Sequence, residues 1–390
     1  MKQGWEYKKL GEVCTIERGG SPRPITDYIT DSEDGINWIK IGDAQEGSKY
    51  ITSTKEKIRP EGIKKSRFVH KGDFILSNSM SFGRPYILKV DGCIHDGWLV
   101  IHDDNEVFIK DYLYYILSSS IMYAKFSQLA VGGVVNNLNS SLVRKVAIPI
   151  PPKSTQLSIV SELDKINELI RLKKEQLKDY DNLAQSIFYE MFGDPVENEK
   201  GWEVKKLGEV CTIERGSSPR PITAYITDSK DGINWIKIGD AQEGSKYITS
   251  TKEKIKPEGL KKSRFVHKGD FILSNSMSFG KPYILKIDGC IHDGWLVIHD
   301  NNNVFIKIYL YYLLASSIMY AKFSKLAGGG VVNNLNSSLV RKVDVSIPPL
   351  PLQHLFAQRI EQIEHQKSEV TKAITDLETL LASRMQHWFE

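Results

Sequence analysis

Three short stretches of the sequence combine cations with small polar residues, and each of them occurs twice. They read "ERGGSPRP" and "ERGSSPRP", "RPEGIKKSRF" and "KPEGLKKSRF", and "SNSMSFGRP" and "SNSMSFGKP". Arginine and lysine contact phosphates, arginine also forks onto guanine, and asparagine and serine read base edges or fix register. The candidate DNA-binding residues are therefore Arg18, Arg23, Lys64, Lys65, Arg67, Ser77, Asn78, Ser79, Arg84, Arg215, Arg220, Lys261, Lys262, Arg264, Ser274, Asn275, Ser276 and Lys281.

Each stretch alone is also typical of an ordinary solvated surface. The faithful repetition of all three stretches favours binding of a polyanion over that alternative. A net charge of +4 and an isoelectric point near 8.6 permit nucleic-acid binding without requiring it.

Motifs that would indicate catalysis or a metal site are missing from the sequence. There is no GxxxxGK[ST] phosphate loop, no HExxH or CxxC spacing and no Asn-Pro-Pro-aromatic segment. "HDGW" at His95 and at His292 places a histidine beside an aspartate, but adjacent residues in a strand point to opposite faces, so a turn entering a buried strand is expected. "VGGVVNN" and "GGGVVNN" are expected to be flexible loops, and the four cysteines are expected to be buried thiols. We therefore expect no catalytic residue, no bound cofactor and no metal in this chain.

The repetition extends far beyond these stretches. Residues 4–152 and 201–349 align without a gap at an offset of 197 residues, with about 18 differences in roughly 149 positions. The chain has 390 residues, of which 41% are hydrophobic, enough for two cores of ordinary domain size. The sequence therefore predicts a duplicated domain.

A long amphipathic helix is predicted after each copy. Between Ser154 and Phe192 there is no glycine or proline, and apolar residues recur at alternating steps of three and four. A matching pattern runs from about Leu352 to Phe389. Because each helix must bury its apolar stripe, we expect the two to pair as an antiparallel coiled coil with an approximate two-fold axis. Two independent dimerisation helices are the alternative, since such patterns do not name their partners.

Short β-rich segments bounded by Gly, Asp and Asn dominate each copy. Strands are predicted within 35–43, 72–79, 84–92 and 97–104, and one helix is predicted over Asp111–Leu129. The expected fold class is α+β, with two near-identical globular domains separated by two long helices. The expected boundaries are 1–152 and 194–349 for the domains and 153–193 and 350–390 for the helices.

Export and membrane insertion are not expected from the sequence. The N-terminal "MKQGWEYKKLGEV" lacks an apolar signal core, and no run approaches the roughly 18 apolar residues of a membrane span. We expect a cytoplasmic protein.

The order of the motifs resembles that of the specificity subunit of type I restriction-modification systems. "WEYKKLGEVCTIERGGSPR" is followed by "KGDFILSNSMSFG" and then by "NNLNSSLVRKVAIPIPPKSTQ", which leads into a long helix closing in "MFGDPVENEKGWEV". The likeness covers essentially the whole chain. It departs from the family at "SMSFG", where "SGT" followed by any residue and glycine is common, and at the proline boundary "SIPPLPLQ".

This resemblance implies a non-catalytic reader of double-stranded DNA with two target-recognition domains, each binding half of a bipartite site. Two modification subunits carrying S-adenosylmethionine would dock on the helices and methylate adenine at N6, and restriction subunits using ATP and magnesium would join them. Because the two domains are nearly identical, we expect an interrupted palindrome as the target. The alternative from another class is a two-headed scaffold that binds a protein or a glycan.

Overall fold

The computed structural model describes residues 2–45, 47–78, 83–129, 138–242, 244–276, 280–327 and 335–390. These residues form two compact units, Met1–Lys174 with Lys372–Glu390, and Glu175–Thr371. We call residues 2–152 domain 1 and residues 194–349 domain 2. Each unit contains one domain, the first part of the long helix that follows it and the last part of the other long helix.

Domain 1 and the helix after it are built from twelve strands and five α-helices among the described residues. In chain order these are β1 (Glu6–Lys9), α1 (Leu10–Val13), β2 (Thr15–Arg18), β3 (Ile29–Thr30), β4 (Ile36–Ile39), β5 (Tyr50–Ile51), β6 (Glu56–Ile58), β7 (Arg67–Val69), β8 (Phe74–Ser77), β9 (Pro85–Leu88), β10 (Gly92–Ile94), β11 (Trp98–His102), α2 (Lys110–Ser118), α3 (Ser120–Leu129), α4 (Ser140–Arg144), β12 (Ala147–Ile150) and α5 (Lys153–Phe192).

Domain 2 and its helix repeat this order. The elements are β13 (Glu203–Lys206), α6 (Leu207–Val210), β14 (Cys211–Arg215), β15 (Ile226–Thr227), β16 (Ile233–Ile236), β17 (Tyr247–Ile248), β18 (Glu253–Ile255), β19 (Arg264–Val266), β20 (Phe271–Ser274), β21 (Pro282–Leu285), β22 (Gly289–Ile291), β23 (Trp295–Asp300), α7 (Lys307–Ala315), α8 (Ser317–Ala327), α9 (Ser337–Val340), β24 (Asp344–Ile347) and α10 (Leu350–Phe389). The predicted α+β class, with two similar domains and two long helices, is confirmed.

Each domain contains two five-stranded sheets and a two-stranded one. In domain 1 the strand orders are β3-β6-β4-β10-β7, β2-β11-β8-β9-β5 and β1-β12. Neighbouring strands are antiparallel except β4 with β10 and β5 with β9. Domain 2 has the same three orders in its own numbering. We call the sheet β2-β11-β8-β9-β5, and its copy in domain 2, the central sheet.

The inner strands β8, β9 and β11 of the central sheet are buried on both faces, which is why they are almost wholly apolar. On β8, Ile75 packs with residues of the other five-stranded sheet, such as Ile39 and Val69. Its neighbours Phe74 and Leu76 point the other way, into a core shared with the helices. The period of two along a strand therefore supplies both cores from one sequence segment.

The helix predicted over Asp111–Leu129 is two helices in the structure, and this prediction was wrong in that respect. Ser119 lies between them in an extended conformation, with φ −68° and ψ 148°. Its hydroxyl donates to the Ile116 carbonyl at 2.6 Å and accepts from the Met122 N–H at 3.2 Å. A serine that caps the next turn in this way competes with the continuous helix.

The two long helices run antiparallel within each unit. In the first unit Arg384, near the end of α10, pairs with Glu162, near the start of α5, and Glu378 pairs with Lys174 at 2.9 Å. In the second unit Lys367, early in α10, lies 2.5 Å from Asp181, late in α5. The antiparallel pairing predicted from the sequence is confirmed. Within the described residues, every helix of sufficient length is too polar to span a membrane.

Candidate nucleic-acid interface

The candidate site in domain 1 lies at one end of three neighbouring strands of the central sheet, β2, β11 and β8. β11 is antiparallel to both of its neighbours, so its first residues face the last residues of β2 and β8. Leu99 is paired with Arg18, and Trp98 with Ser77. The turn before β11, residues 95–97, is therefore flanked by two of the three stretches nominated from the sequence.

Asp96, in this turn, holds the nominated side chains together. Its carboxylate accepts a hydrogen bond from Ser21 Oγ at 2.8 Å and forms an ion pair with Arg23 Nη2 at 3.4 Å. Its backbone carbonyl accepts from Arg18 Nε and from Asn78 Nδ2, both at 2.9 Å. One residue thus ties the end of β2, the loop after it and the end of β8 to the same point.

Domain 2 repeats this arrangement around Asp293. The carboxylate accepts from Ser218 Oγ at 2.8 Å and pairs with Arg220 Nη2 at 3.5 Å. The carbonyl accepts from Arg215 Nε at 2.8 Å and from Asn275 Nδ2 at 3.0 Å.

The surroundings keep this aspartate ionised. Partial burial opposes ionisation of Asp96, but the hydrogen bond from Ser21 and the charge of Arg18 help to outweigh it, and the pKa of Asp96 is lowered. The pKa of Asp293 is lowered in the same way, against partial burial, chiefly by the hydrogen bond from Ser218. A carboxylate at this point orients guanidinium groups by both charge and hydrogen bonding.

His95 holds the turn itself. Its Nδ1 accepts from the Gly97 N–H at 2.6 Å. Burial lowers the pKa of His95, which favours the neutral imidazole, whose unprotonated nitrogen can accept this hydrogen bond. This is the turn entering a buried strand that the sequence predicts for "HDGW".

The arginine at the loop tip is the most exposed of the nominated arginines that contact the aspartate. Arg23 is 82% exposed and its counterpart Arg220 is 81% exposed, although each contacts its aspartate. Arg215, at the end of its strand, is 52% exposed. These guanidinium groups are held in place and still face solvent, which suits them to contact a ligand.

The lysine-rich stretch lies beside this loop. The two backbones are so close that a β-carbon at Gly20 would lie 3.2 Å from the Lys65 carbonyl oxygen. Lys64 is exposed at the end of the 3₁₀ helix Pro60–Lys65. Lys65 donates to the Tyr28 hydroxyl at 2.6 Å. Lys261 is likewise exposed.

Arg67 is engaged within the domain. Its Nη1 pairs with Glu17 at 2.8 Å and its Nε donates to the Arg18 carbonyl at 3.0 Å. Arg264 makes the same contacts with Glu214 and the Arg215 carbonyl, at 2.9 and 2.8 Å. Both arginines are therefore held by contacts within their own domains, and their side chains remain 38% and 35% exposed.

The described residues of the third stretch are mostly buried. Ser77 and Asn78 are 0% and 1% exposed, and Ser77 Oγ accepts from the Arg84 N–H at 3.0 Å. Their side chains therefore support the loop from beneath, whereas Arg84 is exposed. Ser79 lies outside the described residues, as do the predicted loops at 131–137 and 328–334.

The corresponding residues of domain 2 follow the same division. Ser274 and Asn275 are buried, and Ser274 Oγ accepts from the Lys281 N–H at 3.0 Å. Lys281 is exposed and Ser276 is partly exposed. Lys262 donates to the Tyr225 hydroxyl at 2.7 Å, as Lys65 does to Tyr28.

We define the basic surface of domain 1 as Arg18, Arg23, Lys64, Lys65 and Arg84, of which Asp96 contacts Arg18 and Arg23. In domain 2 it is Arg215, Arg220, Lys261, Lys262 and Lys281, of which Asp293 contacts Arg215 and Arg220. An open cleft of about 820 Å³ adjoins it in domain 2, with Ile222 and Trp235 on its apolar side and Arg220 and Asp293 on its polar side. Such a cleft has the volume and the mixed lining of a ligand site.

The two aspartates and the serines that bond to them were not among the residues nominated from the sequence. The signal that could have found them is "HDGW", which both copies retain unchanged. Asp96 and Ser21 are 75 residues apart in the chain, so no local pattern joins them.

Comparison with known proteins identifies the family of the chain. The model of the type I restriction modification DNA specificity domain matches twice, over residues 2–179 and 199–379. The MjaIX type I restriction enzyme specificity subunit of Methanocaldococcus jannaschii is 26% identical over 63% of this chain and 60% of its own length. The EcoBI specificity subunit of Escherichia coli is 20% identical over 96% of this chain and 82% of its own.

A solved structure supports the fold. A chain from a structural study of complex assembly and conformational transition of the type I R-M system superposes on this chain with a TM-score of 0.67 and 20% sequence identity. The superposition covers 99% of this chain and 97% of that one. The chain therefore belongs to the family of type I restriction-modification DNA specificity subunits, as the motif order predicts. The alternative of a protein- or glycan-binding scaffold has no support among these relatives.

Proposed function

We propose that each domain reads one half of a bipartite DNA site with its basic surface, and that Asp96 and Asp293 aim the arginines that do so. The observation that carries the proposal is the shared anchor. Arg18, Arg23 and Asn78 converge on Asp96, and their counterparts Arg215, Arg220 and Asn275 converge on Asp293. A guanidinium that is held by a carboxylate loses less rotamer freedom when it binds a base or a phosphate.

The residues divide into two roles on this surface. Arg23 and Arg220 are the arginines expected to fork onto a guanine, because they are exposed and oriented. Lys64 and Lys261 are exposed point charges and are expected to contact phosphates, which supply affinity without sequence preference.

The two halves of the site should carry the same word, because the two surfaces are built alike. The differences most able to unbalance them are Gly20 to Ser217, Asp27 to Ala224 and Arg84 to Lys281, which lie in or beside the nominated stretches. Each unit is built from the same parts: one domain, the start of the helix that follows it and the end of the other helix. The two repeats are therefore equivalent in the fold, which favours half-sites that are inverted copies of each other. We propose that the target is an interrupted palindrome whose gap is set by the helices.

The partners of the proposed complex carry its chemistry. We propose that this chain is non-catalytic and cytoplasmic and that two modification subunits with S-adenosylmethionine dock on α5 and α10. Restriction subunits using ATP and magnesium would join them. The long helices have exposed leucines suited to such docking, namely Leu157, Leu169, Leu172, Leu183, Leu350, Leu355 and Leu380.

Methylome sequencing of a host carrying this chain with its modification subunit tests whether the two domains recognise the same half-site. The expected motif has one N6-methylated adenine on each strand within inverted, matching half-sites. Two unrelated half-sites would show that near-identical domains do not read alike. Changing Arg220 alone to alanine should relax one half-site and leave the other as it was.

Binding measurements separate this function from the scaffold alternative. Affinity for a duplex with the methylated motif should fall linearly on a plot of log affinity against log salt concentration, because bound phosphates release counterions. The Lys64→Ala and Lys261→Ala double variant should have a shallower slope and unchanged base preference. Absence of duplex binding at low salt would refute the proposed function.

A further inference from the structure

The two long helices occupy equivalent places in the two repeats, so their residues can be compared position by position. α5 and α10 each have 40 residues, and each position in one corresponds to the position 197 residues away in the other. We call residues 1–197 the first half of the chain and residues 198–390 the second half. Each unit joins the start of one half's helix to the end of the other half's helix.

In the first unit this junction is a polar contact between the halves. Glu162, of the first half, accepts from Arg384 Nε and Nη2, of the second half, the latter at 3.2 Å. The same carboxylate accepts from Trp388 Nε1 at 3.0 Å. The side chains of Glu162 and Arg384 are each 32% exposed, so the contact is partly screened from solvent. The bond from Arg384 is the main cause of the lowered pKa of Glu162.

A pair of two second halves in the same register would place like charges together at this point. The residue that corresponds to Glu162 in α10 is Arg359. It would face Arg384 of the other copy, so an ion pair would be replaced by a repulsion. Like charges brought together at an interface disfavour the wrong partner.

A pair of two first halves would lose the contact. The residues that correspond to Arg384 and Trp388 in α5 are Ile187 and Met191. Neither can donate a hydrogen bond from its side chain to Glu162, whose carboxylate would be left partly buried without its donors.

Two other ion pairs between the helices do not discriminate in this way. In the structure Lys174 pairs with Glu378 and Lys367 with Asp181. By the same correspondence, two first halves would bring Lys174 to Asp181, and two second halves would bring Lys367 to Glu378. Both alternatives are attractive, so these two ion pairs do not select the partner, whereas the contact at Glu162 does.

We propose that the surface formed by Glu162, Arg384 and Trp388 selects the complementary half of this chain as the partner of each helix and rejects a like half. The consequence is that the chain closes on itself, or on a second copy only through complementary halves. A first half alone is then a poor match for itself, despite the near identity of the two domains.

The test uses the full chain with a protease site inserted between Val196 and Lys200, cleaved after folding. Two preparations with different mass tags are cleaved, mixed and left to exchange, and native mass spectrometry then counts the pairs. Complementary pairs are expected to exceed like pairs by about tenfold or more, as for an interface with like charges in the wrong pairing. Like pairs in statistical proportion, or halves that separate and stay single, would overturn the proposal.

A matched pair of variants checks that the selection comes from charge. Arg359 is exposed, so Arg359→Glu and Arg359→Gln should leave melting of the full chain unchanged. Arg359→Glu puts a carboxylate opposite Arg384 in a pair of second halves, and such pairs should rise about tenfold over the unaltered chain. Arg359→Gln should give an intermediate value. Equal yields for the two variants would show that charge at this position does not select the partner.

Discussion

Lys246 Nζ lies 2.8 Å from the Glu364 carboxylate, and this ion pair joins domain 2 to α10. The equivalent lysine of domain 1, Lys49, pairs instead with Asp111 at 2.6 Å, within its own domain. Domain 2 has Ile308 at the position of Asp111, so its lysine takes a partner from the helix. The two near-identical domains are therefore attached to their helices by different polar contacts.

The first prediction concerns this pair. The Lys246 side chain is only 8% exposed, and burial lowers its pKa. Glu364→Gln should leave the Lys246 ammonium without its carboxylate and destabilise the second unit by about 2 kcal/mol. This is less than the cost of breaking a fully buried pair, because Glu364 is one-third exposed. Thermal melting should show a loss of about 4–8 °C.

The chain offers a rescue for that variant. Ile308→Asp, combined with Glu364→Gln, would recreate beside Lys246 the pair that Lys49 makes with Asp111. Recovery of the melting temperature is expected. A Glu364→Gln variant that melts like the unaltered protein would show that this ion pair does not stabilise domain 2.

The second prediction separates two classes of arginine. Arg23→Ala with Arg220→Ala should reduce affinity for the cognate duplex by about tenfold or more per half-site without lowering the melting temperature. Arg67→Ala with Arg264→Ala should lower the melting temperature, because each removes a link between Glu17 or Glu214 and a neighbouring backbone carbonyl. Calorimetry and duplex titration of both pairs make the comparison. Similar melting losses in the two pairs would remove the distinction between contact and support.

The third prediction is a dependence of stability on pH. Burial lowers the pKa of His95 and His292 from the ordinary value of 6.5. Between that value and the lower folded value, the unfolded chain binds protons that the folded chain does not. Stability should therefore fall as the pH drops below about 6.5.

Melting at pH 7.5 and at pH 5.5 measures this effect. A variant with His95→Asn and His292→Asn, which keeps a hydrogen-bond acceptor in each turn, should lose less stability between the two pH values. Asp96 and Asp293 also have lowered pKa values, but they act only in a window below about 3.8. An equal pH response in the variant would rule out the histidines as its cause.

The fourth prediction concerns adjacent residues of α5. Ile170 is 7% exposed and Leu169 is 47% exposed. Ile170→Asp should lower the melting temperature, because it buries an unpaired charge, whereas Leu169→Asp should melt normally and weaken binding of the modification subunit. Co-purification with that subunit is the second measurement. Normal melting of Ile170→Asp would contradict packing of this face against α10.

The sequence by itself determined the large-scale plan of this protein. A whole-domain duplication is visible at a fixed offset, and the change of period from two to three and four marks where strands give way to the long helices. Prolines stand before each long helix and a glycine follows α5, and such residues are local signals of where a helix starts and ends. The break at Ser119 was missed, because a serine hydroxyl can cap a turn or be passed over by a continuous helix, and tertiary packing selects between these outcomes.

Only the tertiary structure decided which polar residues face solvent. "SNS" and "KKSR" look alike as polar runs, yet Asn78 is buried beneath the turn and Arg67 is occupied by Glu17, whereas Lys64 is exposed. The anchoring role of Asp96 depends on the antiparallel placement of β11 between β2 and β8. Strand order is set by long-range packing and not by the period of any one segment, so side chains far apart in sequence become partners only in the folded domain.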